Sequence, residues 1–252
     1  QQPALAKYRI PVFRELAARP GIDLTVLYGK EANLENVAPD GFHAIEVPQR
    51  ELRLLGQSAL WHGAQLQAAD PARADVAILS WNTRYLSLVP ALLAACRRRL
   101  PTILWGHGYS RSEKSWKLAM RRRIARLGTA LLFYESRSAE AIVHAGRPAD
   151  EVFVAPNCID QQPIQRAREQ WQNDAEALAK FRHEHDLQNR RLLLHVSRMQ
   201  PANRLDLLLS ATACLVPRFD NLLVTIIGSG SEERQRLERQ AAELKVDPHF
   251  RF

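Results

Sequence analysis

Three stretches place polar or basic side chains just beyond apolar runs, where they could do chemistry. Residues 192–209 read LLLHVSRMQPANRLDLLL: an apolar run, a polar loop with Ser197, Arg198, Pro201 and Asn203, then an apolar helical pattern. If the run is a buried strand, Arg198 stands at its carboxyl end. Helix N-termini there offer free N–H groups to anions, and a guanidinium can hold a diphosphate through two parallel hydrogen bonds. A solvent-facing loop arginine is the other reading of the same residue. Residues 222–238 read LLVTIIGSGSEERQRLE, so Gly228 and Gly230 follow a strand pattern and open a helix. Two glycines allow a ligand to approach the backbone closely. Position 233 is Glu, however, so the dinucleotide pattern G-x-G-x-x-G fails, and a tight strand-to-helix turn is the simpler explanation. In residues 102–111, TILWGHGYSR, His107 sits between Gly106 and Gly108 just past an apolar run. That position leaves room for a substrate; satisfying local backbone is its other use. Tyr134, Glu135 and Ser136 end a further run, where Glu135 could meet a hydroxyl. His183 and His185, two apart, would face different sides of a helix and make no metal pair, and His195 falls inside a strand pattern.

Short β-rich runs alternate with amphipathic segments almost from end to end, the pattern of parallel strands joined by crossover helices. Strands are expected at 22–28, 43–47, 75–79, 102–105, 130–134, 152–155, 192–196 and 222–227. Several are apolar at successive positions, as in a sheet covered on both faces. Helices are expected from Pro11 through Phe13, Leu16 and Ala17, and at 86–98, 115–127, 138–144, 205–216 and 232–244. Gln, Glu, Arg and Ala dominate between Asp160 and Arg190 without a strand signal. The fold class is therefore α/β, with an N-terminal Rossmann-like domain over 1–160, a helical linker over 161–190 and the first part of a second Rossmann-like domain over 191–252. Two complete strands and the beginning of a third at Phe250 are too few to bury a stable core, so the second domain is expected to be incomplete in this chain. The first strand of the first domain is expected to be missing too, because the opening residues read as a loop entering a helix.

The 252 residues are 46% hydrophobic and 25% charged, ordinary globular composition that argues against disorder. Net charge is +8, and it is local. Ten Lys and Arg lie between Arg97 and Arg126 against Glu113 alone, a surplus of nine, so the rest of the chain is nearly neutral. Such an excess suggests an anionic partner. Three scattered cysteines give no disulfide framework or metal spacing and fit a reducing setting. The longest apolar run, 85–96, is broken by Ser87 and Pro90 and is too short to span a bilayer. No signal-peptide pattern opens the chain, which begins at Gln1 without a methionine and so leaves a processed or missing N-terminus open.

In this order, the two glycine- and arginine-bearing units, preceded by Pro156, Asn157, Cys158, Ile159 and Asp160, resemble the GT-B-fold glycosyltransferases of family 4, the retaining group 1 enzymes. Members typically show P-N-G-[VI]-D, then a strand ending G-R followed by P-E-K-G and a Leu-rich helix, then a strand ending G-x-G-P and an E-R-x-x-L-E helix. The matches are Pro156, Asn157, Ile159 and Asp160; Arg198, Pro201 and Asp206; Gly228, Gly230, Glu233 and Leu237. The resemblance covers nearly the whole chain. It implies that Arg198 contacts the donor diphosphate, with Gly228 and Gly230 in the same donor site. Asn203 falls where the family carries a second, cationic partner; it has no charge, and neighbouring Arg204 is the candidate replacement. Cys158 stands where the family has glycine. The resemblance also puts His107 at an active-site histidine that contacts the donor sugar. Lys7 and Arg9 fall in the first loop, where they could bind phosphate or acceptor or remain exposed charges. Tyr134, Glu135 and Asn157 line the cleft.

The implied reaction moves a sugar from a nucleotide diphosphate donor in the interdomain cleft to an acceptor hydroxyl, with retention, in envelope polysaccharide or glycolipid synthesis. It uses no cofactor beyond the nucleotide-sugar substrate and no obligatory metal. The partners are that donor, a glycan or lipid-linked acceptor and an anionic membrane surface, and the setting is cytoplasmic or peripheral at the inner face of the plasma membrane. The family's later E-x-x-x-x-x-x-x-E segment falls beyond Phe252, so weak or no transfer is expected if these residues are the whole polypeptide. A non-catalytic sugar-nucleotide or membrane-binding remnant of the fold, and a GT-B sugar-nucleotide epimerase, are the alternatives.

The basic segment bears on the membrane. Residues 115–127 place Trp116, Met120, Ile124 and Leu127 on one helical face, with Lys117, Arg121, Arg122, Arg123 and Arg126 over the rest and Lys114 just before. An apolar stripe with an interfacial Trp and a cationic surround is the pattern of a helix lying on an anionic membrane. A crossover helix packing its stripe on a sheet has the same sequence. Nucleic acid is not expected, since no recognition helix, exposed aromatic sheet face or known module is visible.

Overall fold

The computed structural model describes residues 1–31, 34–54, 57–108 and 115–252; Arg111 and Lys114, both counted in the basic segment, lie outside the described residues. The chain divides into two compact units, Gln1–Gln161 and Gln162–Phe252.

In the first unit a 3₁₀ turn, Lys7–Arg9, runs into α1 (Ile10–Ala17), whose Pro11 suits the first turn and whose Ile10 and Phe13 are buried. Then come β1 (Thr25–Tyr28), β2 (His43–Glu46), β3 (Gln49–Leu54), β4 (Gln57–His62), α2 (Gly63–Ala68), β5 (Ala77–Ser80), α3 (Leu88–Arg97), β6 (Thr102–Gly106), α4 (Ser115–Ala125), β7 (Ala130–Phe133), α5 (Ser136–His144) and β8 (Val152–Val154). Strands β5-β6-β7-β8 form a parallel sheet in that order, β1 and β2 a parallel pair, and β3 and β4 an antiparallel pair. The opening residues run beside two of these sheets: Gln2 bridges Tyr28 in parallel, and the Gln1 amino group donates to the Ile78 carbonyl at 2.6 Å. The core forms where α3 buries Leu88, Ala91, Leu92 and Ala95, a helical stripe, against Leu79, Leu104, Leu131 and Phe133 of the sheet.

The second unit holds α6 (Gln162–Asn173), α7 (Ala175–Glu184), β9 (Arg191–Val196), α8 (Leu205–Leu215), β10 (Leu222–Ile227), α9 (Ser231–Glu243) and β11 (Phe250–Arg251). Its parallel sheet has the order β11-β10-β9. Leu205 and Leu209 of α8 and Leu237 of α9 pack with Val224 of the central strand. Edge strand β9 stays open, with Leu194 and Val196 both more than half exposed.

The α/β architecture matches the sequence reading, and two parts of it were not anticipated. The pair β3 and β4 escapes because QRELRL and QSALWH carry too many polar residues to read as strands. Helix α2 is a six-residue segment opened by glycine, too short to show a period. Strand β1 starts at Thr25 rather than at residue 22, because Gly21 holds a positive φ and Ile22 donates back to Arg19 in a turn.

His62, at the end of β4, is fully buried, with Nδ1 sealed from solvent and unpartnered and Nε2 3.4 Å from the Gln2 carbonyl. Burial holds its pKa below the ordinary 6.5. As pH falls through 6.5, the unfolded chain takes up a proton that the folded chain resists, so stability present above that pH is lost below it. Denaturant midpoints should therefore fall from pH 7.5 to pH 5.5, with a shallower fall in His62→Gln; equal slopes in the two proteins would contradict this origin.

Candidate functional site

The carboxyl ends of β6 and β7 meet the opening residues of the chain around a cavity of about 490 Å³. Gly106, His107 and Gly108 line it together with Tyr8, Arg9, Trp105 and Tyr134, and Glu31, Ser80, Trp81, Asn82 and Arg121 contribute further. His107 itself is exposed, but the backbone around it is pinned. Gly108 has φ +74°, and a Cβ there would lie 2.6 Å from the Phe133 ring. A Cβ on Gly106 would lie 2.9 Å from the Trp81 carbonyl. The Arg121 guanidinium donates to the Gly108 carbonyl at 3.1 Å. The buried Ser138 hydroxyl lies 3.1 Å from the His107 carbonyl and 2.8 Å from Glu135 Oε1, so its single proton serves one of them at a time. The imidazole rests against Tyr134, with ring centroids 4.5 Å apart.

Lys7 and Arg9 part company. Lys7 is exposed and stands outside the cavity wall, whereas Arg9 is only 7% exposed. Its guanidinium lies 4.5 Å from the Trp105 ring centroid, 5.0 Å from that of Tyr134 and 5.3 Å from that of Tyr8, and it donates to the Tyr134 hydroxyl. Burial raises the pKa of that hydroxyl and Arg9 opposes the rise, so Tyr134 is a neutral phenol at pH 7. Glu135 and Asn157 are exposed and outside the wall.

In the second unit the loops after β9 and β10 cross. Ser197 N–H donates to the Ile227 carbonyl at 3.0 Å and Met199 N–H to the Ser229 carbonyl at 2.7 Å. A Cβ on Gly228 would collide with the Ser197 carbonyl, and one on Gly230, at φ +134°, with the Met199 carbonyl. The close approach these glycines permit here is thus between two stretches of backbone. Arg198 projects exposed from this crossing. Asn203 folds back to donate to the Arg198 carbonyl at 2.6 Å, closing the loop. Arg204, in the left-handed region at φ 51°, grips Asp206 with two nitrogens at 3.0 Å, which raises the guanidinium pKa and lowers that of the carboxyl.

Residues 176–252 match the family model of glycosyl transferases group 1. The fold of the whole chain is similar to that of Anabaena HepE in complex with UDP (TM-score 0.65, 17% identity, covering 100% of this chain and 67% of that one). It is similar too to S. aureus MnaA in complex with UDP (TM-score 0.56, 10% identity, 100% and 67%) and to the UDP-GlcNAc 2-epimerase of Methanocaldococcus jannaschii (TM-score 0.56, 13% identity, 99% and 70%). The chain spans 60–67% of the length of the HepE chains it matches. A sequence comparison with curated proteins finds no match. The chain has the GT-B fold, and part of its second unit is similar to the group 1 glycosyl transferases.

Within this GT-B chain the structure brings His107, Arg9 and Tyr134 to one cavity and Arg198, Asn203, Gly228 and Gly230 to one loop crossing. Sequence reasoning missed Tyr8, Trp81, Asn82, Trp105 and Glu31 as wall residues. Arg121 also differs from its expected place on a lipid-facing surface, because its guanidinium turns to the Gly108 carbonyl and the cavity. The expected stripe on α4 is divided: Trp116 and Met120 are 59% and 38% exposed, whereas Ile124 is buried in the core. Lys117 lies 5.6 Å from the Trp116 ring centroid, and Arg122, Arg123 and Arg126 are exposed. Among the described residues no three His, Cys, Asp or Glu side chains converge on a point that could hold a metal ion, and no helix is long and apolar enough to cross a membrane.

Gly108→Ala should cost about 2 kcal/mol of stability, since the new methyl meets the Phe133 ring in a left-handed conformation. Chemical denaturation would show this as a lowered midpoint at unchanged slope; an unchanged midpoint would mean that the loop yields freely.

Proposed function

We propose that this chain acts in a retaining glycosyltransferase that moves a sugar from a nucleotide diphosphate donor to an acceptor hydroxyl in envelope polysaccharide or glycolipid synthesis. The group 1 match over residues 176–252 carries this reading, because it falls on the unit whose loop crossing exposes Arg198. In this reading Arg198 meets the departing diphosphate, and the N-termini of α8 and α9 add partial positive charge. Fixed positive groups stabilise charge that develops as the sugar–phosphate bond breaks, and they need no metal to do so. Arg204 is less available than Arg198, since reaching a phosphate means releasing Asp206. In the first unit His107 presents its imidazole to the transferred sugar, and the cavity beside it receives the acceptor.

Titrating the chain with UDP, GDP and ADP and their sugars tests the donor side, with nucleotide release followed in the presence and absence of glycan or lipid acceptors. Binding of one nucleotide series is expected, weakened roughly tenfold or more by Arg198→Ala, as for loss of a charge-assisted hydrogen bond. No nucleotide binding at all would defeat the proposal. Sugar isomerisation without an acceptor would favour an epimerase.

The membrane part of the proposal rests on Trp116, Met120, the half-buried Lys117 and the exposed Arg122 and Arg123 of α4, and the exposed Arg126 just after it. Each Lys or Arg near an anionic surface contributes about 1 kcal/mol, so Lys117, Arg122, Arg123 and Arg126 together give reversible docking at a cytoplasmic membrane face. Co-sedimentation should be strong with anionic liposomes, weak with neutral ones and reduced by Trp116→Ala. Equal recovery with both lipids would exclude this role.

A further inference from the structure

We infer that the cavity of the first unit recognises an oxyanion on the acceptor, a carboxylate or a phosphate, and that Arg9 holds it. The inference rests on the transferase reading above and deepens it, because that reading leaves the acceptor's chemistry open.

Arg9 is more than nine-tenths buried, yet among the described residues no carboxylate lies within ion-pair distance of it. Arg147, whose side chain is nearly as buried, has the Glu151 carboxylate at 2.6 Å, and most other Lys and Arg ion pairs of the described residues lie on side chains open to water. A buried charge without a partner is costly. The rings of Tyr8, Trp105 and Tyr134 offset part of that cost through their faces. Ring faces take no hydrogen bonds from the edge of the guanidinium, however, and that edge carries five N–H donors in one plane. Tyr134 accepts one. No Arg9 nitrogen is both sealed from solvent and unpartnered, so the other donors are not closed off by protein; they have the cavity that Arg9 lines. A planar fork of free donors, held by stacked rings against a cavity, is the geometry that selects a carboxylate or phosphate over a neutral hydroxyl.

Tyr134 extends the same site. Its oxygen accepts from Arg9, so its own O–H remains to be donated, and its raised pKa keeps that proton in place at neutral pH. Arg121 adds a second cation to the wall, while Glu31 is the one carboxylate among the lining residues described. Asn82 and Ser80 provide neutral polar groups suited to sugar hydroxyls. A volume of about 490 Å³ falls within the range of roughly 300–1,000 Å³ usual for small-molecule sites and is sized for a sugar headgroup rather than a whole lipid.

The test is calorimetric titration of the full chain with glucuronate, glucose 1-phosphate and glucose. At least one of the two anions should bind ten or more times more tightly than glucose, and which one does so separates a uronic acid acceptor from a phosphorylated one. Arg9→Gln should abolish the preference, while Arg9→Lys, which keeps the charge but loses the fork, should retain only part of it. Tyr134→Phe preserves the ring packing, so it serves if Arg9→Gln does not fold, and should weaken the anion several-fold more than it weakens glucose. Three results would overturn the inference: glucose binding as tightly as both anions, an anion preference unaltered in Arg9→Gln or Tyr134→Phe, or displacement of the anion by saturating UDP, which would assign Arg9 to the donor diphosphate. A separate UDP titration of the unaltered chain reads the donor site. Failure there alone would sink the transferase reading and leave the oxyanion site standing.

Discussion

The Arg9 guanidinium, stacked on Trp105 and Tyr134, joins parts of the first unit that the chain keeps far apart. Arg9 closes the turn into α1, Trp105 lies in β6 and Tyr134 follows β7, so one side chain ties the entry helix to the ends of two sheet strands. Each such cation–ring contact contributes about 0.5–2 kcal/mol, more where the pair is largely buried, as Arg9 is here. The stacking also fixes the ring that His107 rests against. Tyr134 is held by Arg9 on one side and packs against the imidazole on the other. The same interaction that fixes the entry helix therefore fixes the ring beside the candidate catalytic group.

The second unit solves its positioning problem differently, through backbone rather than side chains. Two parallel strands would normally leave their following loops independent. Glycine at 228 and 230 lets the loop after β9 lie directly on the loop after β10, and the N–H groups of Ser197 and Met199, donating to the Ile227 and Ser229 carbonyls, lock the crossing. Arg198 is carried on that crossing, with its carbonyl tied down by Asn203. Asn at 203 thus has a use that charge counting does not suggest: it shapes the loop from which the arginine projects.

How much of this was legible in the sequence follows from what each signal depends on. Strands such as β6 and β10 and helices such as α3 and α8 declare themselves by local apolar pattern, because burial on one face imposes a period. His107 was legible from its two flanking glycines, which report a constrained backbone. The wall formed by Tyr8, Trp105 and Tyr134 was not, since no local pattern encodes a convergence of residues 126 positions apart in the chain. Lys7 and Arg9 look alike as sequence, two cations at alternate positions of one loop. Only the turn into α1, which rotates Arg9 inward and leaves Lys7 in water, separates them.

The basic segment shows the same limit and gives the net charge a structural meaning. Its cations do at least three things: Arg98 pairs with Asp70, Arg121 braces the Gly108 carbonyl, and Arg122, Arg123 and Arg126 face solvent. Arg121 connects these uses, because it lies on the basic helix and also lines the cavity. Exposed cations act over roughly 8 Å at physiological ionic strength, which is far enough to draw an anion towards a surface and too diffuse to choose among anions. Arg9 works in the opposite regime: desolvated and planar, it discriminates at contact distance and has no reach into solvent. A local surplus of charge beside a cavity lined by a buried arginine with no carboxylate partner among the described residues is therefore a two-range arrangement, in which the helix would gather anionic molecules and the cavity would select one.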